Sequence, residues 1–216
     1  MKRIFLIIIA ICVLLTFVAC ANNSPDDVQM SAENEPIISE MHAFWPRYEN
    51  LESLTLYSAD VIRGEVLSER VERINVWCPD TPIPPEVDPY AVVTLHQVRI
   101  LEVFQGSTQP GDIMDVFQRG GALDGSMWIN HDMVSMAPGD DLVLFLHRID
   151  DLLLASLMHP AQSIYRFPTS GDGIMALSAD QELESVLPEN GLAEEFQLRL
   201  TVEDLLRISE GTLRNR

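Results

Sequence analysis

The chain has 216 residues and a formal net charge of −19, with 33 acidic residues against 14 lysines and arginines. Beyond residue 19 only 12 basic residues remain, all of them arginine, and the net charge is −21. No basic surface is left to neutralise phosphates, which excludes nucleic acid as a partner, and an anionic lipid surface would repel such a chain.

The first elements are those of an export signal. Two cations stand at residues 2 and 3, and an uncharged run of 16 residues, 4–19, follows them. The run is short for a membrane span, which needs about 20 residues. Phe-Val-Ala-Cys at residues 17–20 resembles the bacterial lipobox, and the resemblance implies cleavage before Cys20 and a diacylglycerol on its sulfur. We predict a lipoprotein signal peptide over 1–19; the alternative is an uncleaved signal anchor.

Residues 20–45 are polar and acidic, with little apolar surface to bury. This composition predicts a flexible acidic tether with an r.m.s. reach of roughly 25–30 Å. Together with the lipid on Cys20, the tether would hold the protein at the extracytoplasmic face of the cell membrane, just clear of the bilayer.

Residues 46–180 carry the pattern of a β domain. Leu51 and Leu54 predict a short helix over 49–58. Apolar, β-branched segments separated by Gly and Pro then predict strands, while the prolines at 79–89 predict a loop. Many short strands with little helix between them indicate an antiparallel barrel or sandwich. The predicted strands are 59–66, 90–104, 113–118, 142–146, 152–157, 164–167 and 173–177.

Residues 181–216 differ from the rest and predict a C-terminal helical tail. Thr201 is followed by Glu203 and Asp204, the pattern of a helix N-cap with acids in the first turn. The apolar residues that follow form one stripe, by which we expect the helix to pack on the barrel.

The order of these features resembles a module of uncharacterised exported bacterial lipoproteins. It consists of a strand after Ala59-Asp60, a long strand ending at Gly106, a Gly-Asp turn and a hydrophobic strand after Gly139-Asp140. It also resembles the OB-type barrel of netrin and metalloproteinase-inhibitor modules. The resemblance implies a mainly β fold, a small antiparallel OB-like barrel with one N-terminal and one C-terminal flanking helix. It does not extend to inhibition, because those inhibitors chelate zinc through a free N-terminal cysteine, whereas Cys20 would be acylated.

Catalytic and metal motifs are weak in this sequence. Ser126 follows a glycine but lies in no Gly-x-Ser-x-Gly motif, and Cys78 has no histidine near it in sequence. His131-Asp132 is the best local metal pair, yet no His-x-x-x-His spacing supports it, and the acidic turns do not match a calcium loop. We therefore predict no catalytic residue, no metal and no cofactor.

Cys78 is the only thiol that remains after signal cleavage and lipidation. A fold with one cysteine has no internal disulfide. Acidic neighbours such as Asp80 disfavour the thiolate, so we expect a slowly reacting thiol and a monomeric protein.

An aromatic and methionine cluster is the possible binding surface. It comprises Trp128, Met127 and Met133, with Trp77 on the proline-rich loop; the alternative is a loop folded over one end of the barrel. OB-type barrels bind ligands on one sheet face and its bordering loops, here 70–89 and 119–138. The sequence thus favours a non-enzymatic binding or interaction module for an unknown protein or small ligand. The alternative is a cell-surface enzyme whose site is assembled from distant residues.

Overall fold

The computed structural model describes residues 37–41, 45–76, 82–86, 88–149, 154–168, 178–187 and 197–212. The chain divides into two units, Met1–Pro36 and Ile37–Arg216, and all described residues belong to the second. The predicted signal peptide, Cys20, most of the predicted tether, Trp77, Cys78 and the strand predicted over 173–177 lie outside the described residues.

The described residues are mainly β, as the sequence predicts. The two predicted helices are present, one before and one after the long strands. In chain order the elements are β1 (Ile37–Met41), α1 (Leu51–Tyr57), β2 (Asp60–Asn75), β3 (Tyr90–Gln105), β4 (Ile113–Arg119), β5 (Gly121–Leu123), β6 (Ser126–Asn130), β7 (Asp141–Arg148), β8 (Leu154–Leu157), β9 (Ile164–Arg166), β10 (Glu184–Ser185) and α2 (Val202–Ser209).

Five strands close into a ring, which confirms the predicted small barrel. β2 pairs with β3 and β7, β3 with β4, β4 with β8, and β8 returns to β7. Four of these pairings are antiparallel, while β4 and β8 are parallel, a departure from the purely antiparallel barrel that the sequence predicts. A five-stranded barrel with a Greek-key connection of this kind is OB-like.

Strict alternation along β7 shows how one strand serves two cores. Leu142, Leu144 and Leu146 point into the barrel, whereas Val143 and Phe145 point outward, since successive strand residues face opposite sides. All five are fully buried, so both faces of this strand are covered. The barrel interior also receives side chains from the loop before β7; its members include Ile62, Val66, Val98, Ile100, Met114, Val116, Val134, Met136, Ala155 and Leu157.

One outer side of the barrel, here named the closed wall, is sealed by both helices. It consists of Val61, Val143, Phe145 and Tyr165 on strands β2, β7 and β9. The residues packed on it include Leu54 of α1 and Val202, Leu205 and Ile208 of α2. The C-terminal helix therefore shares a hydrophobic core with the outer side of the barrel.

The helix ends follow from short polar signals in the sequence. Asn50 and Ser53 form a capping box at α1, and Thr201 and Asp204 form one at α2, as the sequence predicts for the second helix. A side-chain cap of this kind is worth about 1 kcal/mol because it satisfies backbone N–H groups that have no partner inside the helix.

A second, three-stranded sheet consists of β1, β6 and β5. Residues 37–41, which the sequence assigns to the end of the tether, form β1 and pair in parallel with Ser126–Asn130. Residues 121–130, predicted as loop, form the hairpin of β5 and β6. β1 gains its order from pairing with a distant segment, and β5 and β6 are too short to show a clear alternation in the sequence.

The Ala-Asp and Gln-Gly motifs belong to one buried contact. Asp60 is fully buried at the start of β2, and both of its oxygens accept hydrogen bonds from Arg148 at 2.6–3.1 Å. Gly106 has φ +117° and leaves room for this carboxylate, because a Cβ there would lie 2.1 Å from Asp60 Oδ1. The ion pair thus requires a glycine at the end of β3.

Candidate binding cleft

The other outer side of the barrel, here named the open wall, lacks a helical cover among the described residues. Its residues are Val93, Leu95, Phe117, His147 and Ser156. Phe117 is paired with Ser156, and Ser156 with His147, so the three side chains form one row across β4, β8 and β7. Cross-strand partners share a face of the sheet. Phe117 packs on Val93 and Leu95, apart from the barrel interior.

A cleft of about 300 Å³ lies on the open wall. This volume is at the lower end of the range for small-molecule sites, which are typically mainly apolar with a few polar groups. The cleft has that character. Its lining residues are Trp45, Val76, Phe117, Gln118, Arg119, Asn130, Asp132, His147, Ile149, Ser156, Leu157 and Pro160.

Trp45 lines the cleft and carries a buried polar atom. Its indole Nε1 has almost no accessible surface, and none of the described residues accepts a hydrogen bond from it. A buried N–H without an acceptor costs roughly 1–3 kcal/mol, and buried tryptophans normally find one.

Arg119 is the cation of the cleft. Eight arginines among the described residues form ion pairs with Asp or Glu, whereas Arg119 forms none there. It stands at the end of β4, directly after Gln118, and it is exposed. The chain has 33 acidic residues, yet none of the described ones forms an ion pair with Arg119.

Two buried histidines lie close to the open wall. Burial lowers the pKa of His159 to about 4, against an opposing effect from the charge of Asp132. Burial also lowers the pKa of His96, whose Nε2 lies 3.2 Å from Gln118 Nε2 and whose Nδ1 has no partner. Both imidazoles are therefore neutral at pH 7, and neither adds a positive charge to the cleft.

The structure describes three of the four residues of the predicted binding surface. Met127 and Trp128 are consecutive on β6 and point to opposite faces of their sheet; Met127 is exposed and Trp128 half-buried. Met133 and Trp128 both lie beside Gly120, since a Cβ there would be 3.0 Å from the Met133 sulfur and 3.0 Å from the Trp128 carbonyl oxygen. The alternative interpretation of this segment is a loop folded over one end of the barrel. In the structure, Val134 and Met136 of this segment insert into the barrel interior.

The arrangement lacks the contacts of a catalytic site. His147 and Ser156 face each other across β7 and β8, yet no hydrogen bond joins these two residues, and a serine nucleophile needs its base within hydrogen-bond reach. His131 lies 3.7 Å from Glu40, and Ser126 is a strand residue of β6. Within the described ranges, no group of three His, Cys, Asp or Glu side chains could hold a metal.

Sequence reasoning did not find most of the residues that line the cleft, although some of them lie in the two loops that it predicted. Val76 lies in the predicted loop 70–89, and Arg119, Asn130 and Asp132 lie in 119–138. No sequence pattern marked the lining residues Trp45, Phe117, His147 and Ser156. They are far apart in the chain and look like ordinary strand or loop residues until the barrel closes.

Comparison with models of known protein families gave no match, and comparison with curated proteins gave none either. Among the described helices, none has the length and apolar character required to cross a membrane.

Proposed function

We propose that this protein is a lipid-anchored, extracytoplasmic binding module of the bacterial cell envelope, without enzymatic activity. Its ligand is a small molecule held in the cleft of the open wall. The observation that supports this most directly is the cleft itself, whose lining is mainly apolar with a few polar side chains.

The position of the cleft on the barrel gives a second, fold-level argument. OB-type barrels bind ligands on the face of their second and third strands and in the bordering loops. Here the third strand of the ring, β4, supplies Phe117, and the segments after β2 and β7 supply Val76 and Ile149. This is an argument from analogy of fold, and the chemistry of the lining residues has to support it independently.

A binding role agrees better with these contacts than the enzymatic alternative. The polar side chains of the cleft, such as Ser156 and His147, are not connected to each other as a nucleophile and its base would be. The buried His159 has a pKa of about 4, too low for a general base at neutral pH.

Binding in the cleft is testable with N-phenyl-1-naphthylamine, a neutral apolar fluorophore. The protein is the chain 21–216, which retains every described residue and carries no lipid that would form micelles. We expect saturable binding at one site. Ser156→Phe should weaken it at least tenfold, because the new ring would occupy the cleft from a half-exposed strand position.

Ile113→Phe is the matched control, since Ile113 is exposed at the far end of β4 and does not line the cleft. Its binding should equal that of the unmodified chain. Binding that is not saturable, or that survives Ser156→Phe unchanged, would show that the cleft is not an apolar ligand site.

The anchor is tested separately in cells by fatty-acid labelling. Cys20→Ala should abolish incorporation of the label and release the mature protein from the membrane fraction, because the thioether of Cys20 is the expected attachment point. Unchanged labelling of this variant would contradict the anchor and leave the cleft experiment unaffected.

A further inference from the structure

We propose that the ligand of the cleft is a small organic anion with an apolar body, whose negative group binds Arg119. The proposal rests on the proposed function, in which the cleft is a ligand site. It adds the chemical class of the ligand, which neither the barrel nor the position of the cleft determines.

The first argument is the state of Arg119. Arginine binds carboxylate, sulfonate and phosphate groups through several parallel N–H donors. The other arginines that form ion pairs in the described part of the chain use this capacity within the protein. Arg63 makes two hydrogen bonds to one carboxylate and Arg148 makes three. Arg119 forms no such pair with the described residues and lines the cleft. Within the described ranges, its guanidinium donors are therefore open to a group from outside.

The second argument is the remaining lining of the cleft. The apolar side chains of Val76, Phe117 and Ile149 line it together with Arg119. A ligand with an anionic group at one part and an apolar body at another matches both kinds of surface. A cationic ligand would be repelled by the charge of Arg119.

Asp132 is the acidic residue among the lining residues. It already takes part in the protein's own interactions, and its charge acts on the buried His159. The high net negative charge of the chain also repels anions at long range. Anion binding in this protein therefore depends on one local cation, which makes the proposal sensitive to a single substitution.

The test compares two probes that differ in one group. N-phenyl-1-naphthylamine is neutral, and 8-anilinonaphthalene-1-sulfonate is the same skeleton with a sulfonate added. Both are titrated by fluorescence into the chain 21–216, its Arg119→Gln variant and its Arg99→Gln variant. Arg99 lies at the other end of the β3–β4 pair, outside the cleft, so it changes the net charge equally.

We expect Arg119→Gln to weaken binding of the sulfonate about tenfold and to leave the neutral probe unchanged, since a charge-assisted hydrogen bond is lost. Arg99→Gln should alter neither probe. Equal effects of the two substitutions, or no effect of Arg119→Gln on the sulfonate, would overturn the anion proposal while binding of the neutral probe upholds the cleft. If neither probe binds the unmodified chain, the proposed function itself fails.

Discussion

The closed wall and the open wall are two outer faces of one barrel, built from neighbouring strands with the same alternation. On β7 the outward row runs from Val143 and Phe145, which are fully buried, to His147, which is exposed. The first two lie under the helices, and the third borders the cleft. What separates the two walls is the cover, supplied by segments before and after the barrel in the chain.

The two walls also differ in how their arginines are bound. On the closed wall, Arg63 makes three hydrogen bonds of 2.6–2.9 Å to Asp141 and Glu102 and stacks 3.7 Å from the centre of the Phe167 ring. On the open wall, Arg119 is exposed, lines the cleft and forms no ion pair with a described acidic residue. The arginine under the helical cover is thus held by the protein's own carboxylates, whereas the arginine of the open wall faces the cleft without such a pair among the described residues.

The comparison predicts unequal effects of the same truncation on the two walls. Phe145→Ala should lower the free energy of unfolding by about 3–5 kcal/mol, because it leaves a closed cavity under the helices. Phe117→Ala should cost about 1.5–3 kcal/mol, the transfer free energy alone, because the cleft already opens to water beside it. Urea unfolding of both variants gives the measurement. Equal losses would mean that the open wall is packed as tightly as the closed one.

The sequence was sufficient for features whose signal is local. The alternation of 142–146, the turn at Gly139 and the capping pattern at Thr201 each act within a few residues, and each prediction agrees with the structure. The number of long strands also followed from the spacing of glycine and proline. These features determine the barrel and the helix that seals the closed wall.

Features that depend on distant partners were not predictable in this way. β1 is ordered by parallel pairing with β6, which lies far along the chain, and the parallel pairing of β4 with β8 depends on closure of the barrel. The cleft has the same origin, since Trp45, Phe117 and His147 meet only in the folded chain. Met127 and Trp128 of the predicted cluster face opposite sides of their sheet, because they are neighbouring strand residues.

His159 lies between the two walls. Met158 before it packs in the core of the closed wall, and Pro160 after it lines the cleft. Its pKa is about 4 in the fold against an ordinary value of 6.5, so the unfolded chain takes up the proton first as the pH falls. Stability should therefore be complete above pH 6.5 and decline by about 2–3 kcal/mol towards pH 4.

His159→Asn is the informative variant, because an amide oxygen can still accept the hydrogen bond that Ala161 N–H donates to Nδ1 over 3.0 Å. Its unfolding free energy should vary less between pH 6.5 and 4, and burial of His96 accounts for part of the slope that remains. A pH dependence identical to that of the unmodified chain would show that His159 is not held neutral by the fold.

The smallest change in the free energy of unfolding is expected for Arg119→Gln in the absence of ligand. Arg63→Gln on the closed wall should cost about 2–3 kcal/mol, somewhat less than a fully buried pair, because Asp141 and Glu102 still reach water in part. Arg119 has no acidic partner to lose, so Arg119→Gln should stay within about 0.5 kcal/mol of the unmodified chain. If Arg119→Gln weakens anion binding without lowering stability, Arg119 serves ligand binding and not folding. A loss for Arg119→Gln equal to that for Arg63→Gln, measured by urea unfolding, would instead make Arg119 part of the structural support of the open wall.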